Sequence, residues 1–194
     1  LHNQDEGIRR NTSMAGLARL KSLKEMGSKG KAKGLITAGL ASQICDGAAA
    51  ILICNEAGLR KLGVKPRARV VSLALAGTDP VMMLAGPIPA TKRALERANL
   101  TIDDMDLYEV NEAFAPVPLA WAKALGADMR KLNVNGGAMA LGHPLGGTGA
   151  KLMTTLLHEM ERRRVRYGVQ AICEGGGTAN ATVIELVSTP ASKL

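Results

Sequence analysis

A chain of 194 residues that is 46% hydrophobic has ample material for a buried core, but with 2% aromatics that core must be built from Ala, Val, Leu, Ile and Met. So few rings argue against a nucleic acid partner held by base stacking, and no apolar run approaches the roughly 20 residues that insert across a membrane. The formal charge of +8 invites an anionic, phosphate-bearing partner, although the basic residues are scattered and read mostly as solvated faces.

Residues 1–33 are polar and basic, with one amphipathic patch over Met14–Lys21 spaced like a short helix. Residues 34–47 form a small-residue, turn-rich segment leading into Ala48–Cys54, an apolar run of strand length that reads as buried on both faces. Asn55 caps a helix over Glu56–Leu62 and Gly63 stops it. Pro66 marks the boundary between an incomplete N-terminal portion, 1–65, and a C-terminal domain, 66–194. Beyond it, a strand over Ala68–Ala76, a loop over Gly77–Pro89 and a helix over Thr91–Ala98 follow in order. Thr101–Asp104 carries a capping signature, Asp106–Val110 is a short strand, and a helix runs from Asn111 to about Leu125 with Pro116 and Pro118 in its first turns. Gly149–Arg163 is the clearest amphipathic helix, and Val169–Cys173 and Ala181–Val187 are strands on either side of a triple glycine. The order β-α-β-α-loop-α-β-turn-β predicts an α/β fold, a mostly parallel sheet with helices on both faces whose last two strands pair antiparallel.

The stretch Asn133–Gly149 contains six glycines and one His-Pro pair, and glycine at that density marks backbone that must turn sharply or approach another group. Ligands in open α/β sheets sit beyond the carboxyl ends of strands, where Asn111, His143 and Cys173 all fall. His143 can serve as base, acid or donor to an oxyanion; the alternative is a histidine hydrogen-bonded in a turn. Gly175, Gly176 and Gly177 after Cys173 leave backbone N–H groups free to face a reacting oxygen, whereas Cys45 and Cys54 read as small buried hydrophobes. Asn111 could cap the adjacent helix or hold a water for an oxyanion. Glu112 reads as a helix N-terminal charge and Glu174 as a solvated turn charge. A phosphate-binding loop is excluded because the glycines lack the Gly-Lys-Ser/Thr ending, and no Cys-x-x-Cys or His-x-x-x-His pair supports a metal.

Taken together, Asn111-Glu-Ala-Phe-Ala115, Asn133-Val-Asn-Gly-Gly137 through Gly142-His-Pro-Leu-Gly146, and Cys173-Glu-Gly-Gly-Gly177 resemble the signatures of the thiolases, the acetyl-CoA acetyltransferases and 3-ketoacyl-CoA thiolases. The resemblance extends to Asp5–Arg9 and to Ala41–Ala50. It implies a thiolase-like βαβαβαββ layered fold, with Cys173 as the acid/base cysteine and His143 as the residue that activates the nucleophilic cysteine and donates to a thioester oxyanion. It further implies Asn111 as the holder of the oxyanion-hole water and Gly175 as a backbone donor of a second hole. Ser42 matches a contact to the pantetheine arm, and Met83 and Phe114 match apolar walls near the acyl group.

The implied activity is thiolytic cleavage of 3-ketoacyl-CoA or the reverse Claisen condensation. Coenzyme A thioesters are its substrates, no cofactor is needed, and the complete enzyme would be a homodimer or homotetramer. Departures include Arg164, where a glycine is frequent, and the lack of a cysteine matching the family's nucleophile. This chain is therefore expected to be a C-terminal portion, inactive alone; the other reading is a non-catalytic thiolase-like subunit acting as a binding or scaffold partner in a hetero-oligomer. Three cysteines in no framework spacing point to a reducing compartment, hence a cytoplasmic location, or a peroxisomal one if the source is eukaryotic, since Ser192-Lys193-Leu194 matches that address.

Overall fold

The computed structural model describes residues 3–23 and 34–187; the Ser192-Lys193-Leu194 address lies outside the described residues. Near the N-terminus, Ser13 accepts from the Gly16 N–H to start α1 (Met14–Ala18), a helix with no buried residue. In α2 (Glu56–Leu62), Asn55 Oδ1 accepts from the Gly58 N–H and Gly63 ends the helix at φ 63°, as the sequence predicts. The strand expected at Ala48–Cys54 is absent, and Leu52 and Ile53 are 67% and 77% exposed. An apolar run becomes a buried strand only if other strands flank it, and none of the described strands does so.

The remainder builds one sheet. β1 (Ala68–Gly77), β2 (Leu107–Val110), β3 (Tyr167–Cys173) and β4 (Thr178–Leu186) are arranged in the order β1-β4-β3-β2. β2 pairs parallel with β3, while β4 runs antiparallel to both β3 and β1. Three strands thus share one direction and β4, entering through the tight glycine turn, is inserted between two of them, so the sheet is mixed.

α3 (Pro87–Ala98) and α4 (Pro116–Leu125) cover one face and α6 (Thr148–Arg163) the other; α5 (Ala138–Leu141) is a single turn before α6. α3 starts earlier than the loop expected over Gly77–Pro89 allows, because Pro87 occupies its first position, where the missing N–H costs nothing. Likewise α4 starts at Pro116, so Asn111 does not cap it. The α3/α4 face buries Ala74, Ala94, Val169, Ala171 and Val183 around Trp121, whose indole N–H donates to Thr91 Oγ1 at 2.9 Å. Small residues on the strands let α3 approach closely, which is how a core with so few rings fills. On the opposite face Leu156 and Met160 of α6 press on Gly168, where a Cβ would lie 2.7 Å from the Met160 sulfur. Arg164 closes α6 in the left-handed region at φ 56°, which accounts for the glycine expected there.

β1 is an edge strand, and its free carbonyls at Leu73 and Leu75 accept from Arg97 and Arg93 of α3. Among the described residues several arginines are paired: Arg162 and Arg163 hold Glu159, Arg67 holds Glu161, and Arg69 and Arg166 hold Glu185.

Among the described residues, one carboxyl group is buried without a partner. Glu109 on β2 is 2% exposed, it is the register partner of Gln170 on β3, and Glu109 Oε2 and Gln170 Oε1 both lack a hydrogen-bond partner. Burial, helped by Glu112 and Glu159 and opposed by Lys151, pushes the Glu109 carboxyl up to about 8. The native state therefore binds a proton that the unfolded chain releases near the ordinary carboxylate value, and stability falls as pH rises from that value through about 8. Urea unfolding between pH 5 and pH 8 should show stability falling by up to about 1.4 kcal/mol per unit. Glu109→Gln, whose amide can donate to Gln170, should flatten that slope; an unchanged slope in the variant would remove Glu109 as its source.

Candidate active site

The parallel β2–β3 ladder brings two of the candidate groups together. Val110 lies beside Ala171, and the Asn111 N–H continues the ladder to the Ala171 carbonyl at 3.0 Å, so Asn111 and Cys173 leave the same sheet end on neighbouring strands. His143 arrives from a different direction. It follows α5 and Gly142, and its N–H donates to the Gln43 carbonyl at 2.7 Å. The segment carrying Gln43 is a strap: Ser42 N–H donates to Ala113 O and Ala115 N–H to Leu40 O, at 3.0 and 2.9 Å. One extended stretch of the N-terminal portion thereby stitches the Asn111 loop to the His143 loop.

Between these loops lies a cavity of about 510 Å³. Ser42, Met83, Phe114, His143, Cys173 and Gly175 all line it. Asn111 does not; it is buried behind the wall at 1% exposure, with neither Oδ1 nor Nδ2 hydrogen-bonded to a protein group. A buried amide left unpaired costs about 1–3 kcal/mol per group, and the Asn111 amide sits beside the Cys173 thiol, where it lowers the thiol's pKa against the effect of burial. Met83 reaches the cavity from a strained backbone, φ 53°, in a loop where Asp79 Oδ1 accepts from the Val81 and Met82 N–H groups at 2.7 and 3.1 Å. That loop is pressed on the triple glycine. Gly177, at φ 84°, would place a Cβ 2.6 Å from the Thr78 carbonyl, so only glycine fits.

The His143 ring has a defined orientation. Its Nδ1 lies 2.6 Å from Thr148 Oγ1, and the single hydroxyl proton of Thr148 is donated to Pro144 O at 3.0 Å. Thr148 must then accept from Nδ1–H, which leaves the Nε2 lone pair as the ring's remaining function. Burial, and secondly the Lys151 charge, hold the imidazole below its ordinary value, so the ring is neutral at neutral pH and Nε2 is a proton acceptor. Cys173 has the opposite character. Burial pushes its thiol up, with the neighbouring Asn111 amide only opposing the shift, so it keeps its proton. A neutral base and a protonated thiol share one cavity.

Thr148, which the sequence did not single out, and Glu112 and Glu174, whose partners it did not show, complete the arrangement. Thr148 orients the ring, and a Thr at the first turn of the helix after the His-Pro pair was the available signal. Glu112 is not a charge at the start of α4, the helix that follows it: its carboxylate accepts from Asn133 Nδ2 at 2.8 Å and, at the start of α5, from the Met139 N–H at 3.1 Å. Nor is Glu174 merely solvated, since it accepts from Thr178 Oγ1 and Asn180 Nδ2 at 2.9 and 2.7 Å and braces the glycine turn. Among the described residues no group of three His, Cys, Asp or Glu side chains could hold a metal ion.

Residues 64–186 match the family model for the thiolase C-terminal domain and residues 1–57 that for the thiolase N-terminal domain. The chain is 54% identical over 181 residues to the steroid 3-ketoacyl-CoA thiolase FadA6 of Mycobacterium tuberculosis, covering 93% of this chain and 42% of that protein. It is 52% identical over 157 residues to an acetyl-CoA acetyltransferase of Syntrophomonas wolfei, covering 80% and 40%. Human mitochondrial 3-ketoacyl-CoA thiolase in complex with CoA superposes with a TM-score of 0.83 at 42% identity, covering 95% of this chain and 45% of that one. The chain thus spans less than half the length of each.

The raised thiol predicts the alkylation behaviour of Cys173. Followed by peptide mass spectrometry, its reaction with iodoacetamide should rise with pH along a curve displaced above that of a free cysteine. A curve centred below the free thiol would contradict a protonated Cys173.

Proposed function

The chain belongs to the thiolase family, and from that premise we propose that it forms the acid/base half of an acyl-CoA:acetyl-CoA C-acyltransferase acting on 3-ketoacyl-CoA. The observation that carries the reading is the pairing of a neutral His143, its Nδ1–H spent on Thr148, with a protonated Cys173 at one cavity. Thiolysis needs both. A nucleophilic thiol must lose a proton to attack the 3-keto carbon, and Nε2 of a neutral imidazole takes it. The resulting imidazolium then donates to the oxygen on which negative charge develops, together with a water held by Asn111.

When the bond between C2 and C3 breaks, the electron pair stays on the acetyl-CoA enolate, and the Cys173 thiol supplies the proton that converts it to acetyl-CoA. Cys173, now a thiolate, takes the proton of the incoming CoA thiol as that sulfur attacks the acyl-enzyme; the nucleophilic sulfur leaves as a thiolate and recovers its proton from the His143 imidazolium. In the reverse direction the Cys173 thiolate removes the α-proton of acetyl-CoA. Gly175, where an added side chain would meet nothing within 4 Å, offers its N–H to the thioester oxygen. Ser42 faces the pantetheine arm, and Met83 and Phe114 border the acyl group.

The nucleophile itself comes from outside this set of residues. Cys173 is the one cysteine at the cavity; Cys45 borders a separate small hollow beside Pro144 and Lys151, and Cys54 lies in the segment before α2. The chain alone should therefore show no CoA-dependent cleavage of acetoacetyl-CoA. The same chain associated with a thiolase N-terminal half bearing the nucleophilic cysteine should cleave it, and Cys173→Ser in that assembly should lower kcat at least 10²-fold. Cleavage by the isolated chain would overturn the division of labour. A folded, associated pair without activity would leave the chain as a binding subunit.

A further inference from the structure

We propose that Glu112 and Lys151 are positioning residues for His143, gripping the one-turn helix α5 from its two ends; this rests on the thiolase reading above. An isolated four-residue helix has no stability of its own, because nucleation costs more than one turn returns. Yet α5 (Ala138–Leu141) runs through Gly142 directly into His143, so whatever fixes α5 fixes the imidazole. Two charged side chains do so.

At the start of α5, Glu112 Oε2 accepts the Met139 N–H at 3.1 Å; at its end, Lys151 Nζ donates to the Leu141 and Gly142 carbonyls at 2.9 and 2.8 Å. A carboxylate at the N-terminal end and an ammonium at the C-terminal end are the signs that the helix dipole favours. Each satisfies backbone groups that a single turn leaves orphaned.

The grip is tied to the rest of the site. Glu112 is the residue after Asn111, so one short piece of backbone carries both the buried amide and the clamp. Its other oxygen accepts from Asn133 Nδ2, and Asn133, held at φ 45°, brackets Val110 by accepting from its N–H and donating to its carbonyl at 2.8 and 2.9 Å. Gly137 is required by the same contact, since a Cβ there would collide with the Glu112 carboxyl group. The end of β2 and the His143 loop are therefore held at a fixed separation by polar contacts that converge on Glu112, while Lys151 fixes the far end. Neither residue lines the cavity, so both act through His143 and not on substrate.

The experiment compares Glu112→Gln, Lys151→Met, the double variant and Lys151→Arg in two settings. In the chain alone, NMR should show the His143 ring resonances shifted or broadened in Glu112→Gln and Lys151→Met while those of His158 stay in place, with far-UV circular dichroism unchanged. In the assembly with a nucleophile-bearing half, each of these two variants should lose about 10-fold or more in kcat, because small misplacement of a catalytic group is costly. KM for CoA should stay within about twofold.

The double variant should lose little more than the worse single one, since both act on one element, and Lys151→Arg should recover most of the loss. Unchanged His143 resonances, or additive losses that fall on KM, would overturn the proposal. An inactive wild-type assembly would count against the thiolase reading instead, and the NMR arm would still decide the positioning.

Discussion

The placement of Asn111 beside Cys173 hangs from the parallel ladder between β2 and β3. Because Val110 lies beside Ala171 and Asn111 continues that ladder, the two strands end together. Their first residues beyond the sheet are forced into proximity whatever the surrounding loops do. The cost of this placement is visible in the same strands: Glu109, Asn111 and Gln170 are buried there with polar atoms unpaired. Residues one position apart on β2 point to opposite faces, so Glu109 faces α6 while Val110 joins the α3/α4 core and Asn111 begins the loop. A sheet end so loaded with buried polarity is poorly optimised for stability and well suited to hold chemistry.

His143 lies on no strand and is held by a second set of contacts, tied to the end of β2 through Asn133 and Glu112. The strap at 40–44 hydrogen-bonds to both loops, so the N-terminal portion is part of the site and does not merely precede it. Thr148 then sets the tautomer, and the one-turn helix sets the distance. The same strap leads into Ala48–Cys54, whose exposed isoleucines and leucine are the counterpart of the outward face of β1, where Leu73 and Leu75 are also exposed. In both places a strand-forming pattern faces solvent because no element among the described residues covers it.

Much of this was legible in the sequence. The alternation of strands and helices after Pro66, the caps at Asn55 and Gly63 and the tight turn between β3 and β4 follow from local chemistry, and local chemistry is what a sequence displays. Six of the seven candidate site residues line one cavity; strand ends and glycine turns mark His143, Cys173 and Gly175, whereas Ser42, Met83 and Phe114 rest on the resemblance alone. What stayed hidden was long-range. The insertion of β4 between β1 and β3, the role of Glu112 as a clamp, and the failure of Ala48–Cys54 to become a strand each depend on a partner distant in the chain, and no spacing rule names that partner. The left-handed Arg164 shows the converse: a residue unusual for its position was legible, and the backbone explains what it tolerates.

The central claim is that the fold presents His143 as a neutral base with its Nδ1–H donated to Thr148. Nitrogen-15 NMR of the imidazole, recorded through neutral pH, reads that state directly. The account predicts a protonated Nδ1, an unprotonated Nε2 and a titration midpoint below that of an ordinary histidine. An Nε2–H tautomer, or an imidazolium persisting at neutral pH, would contradict it.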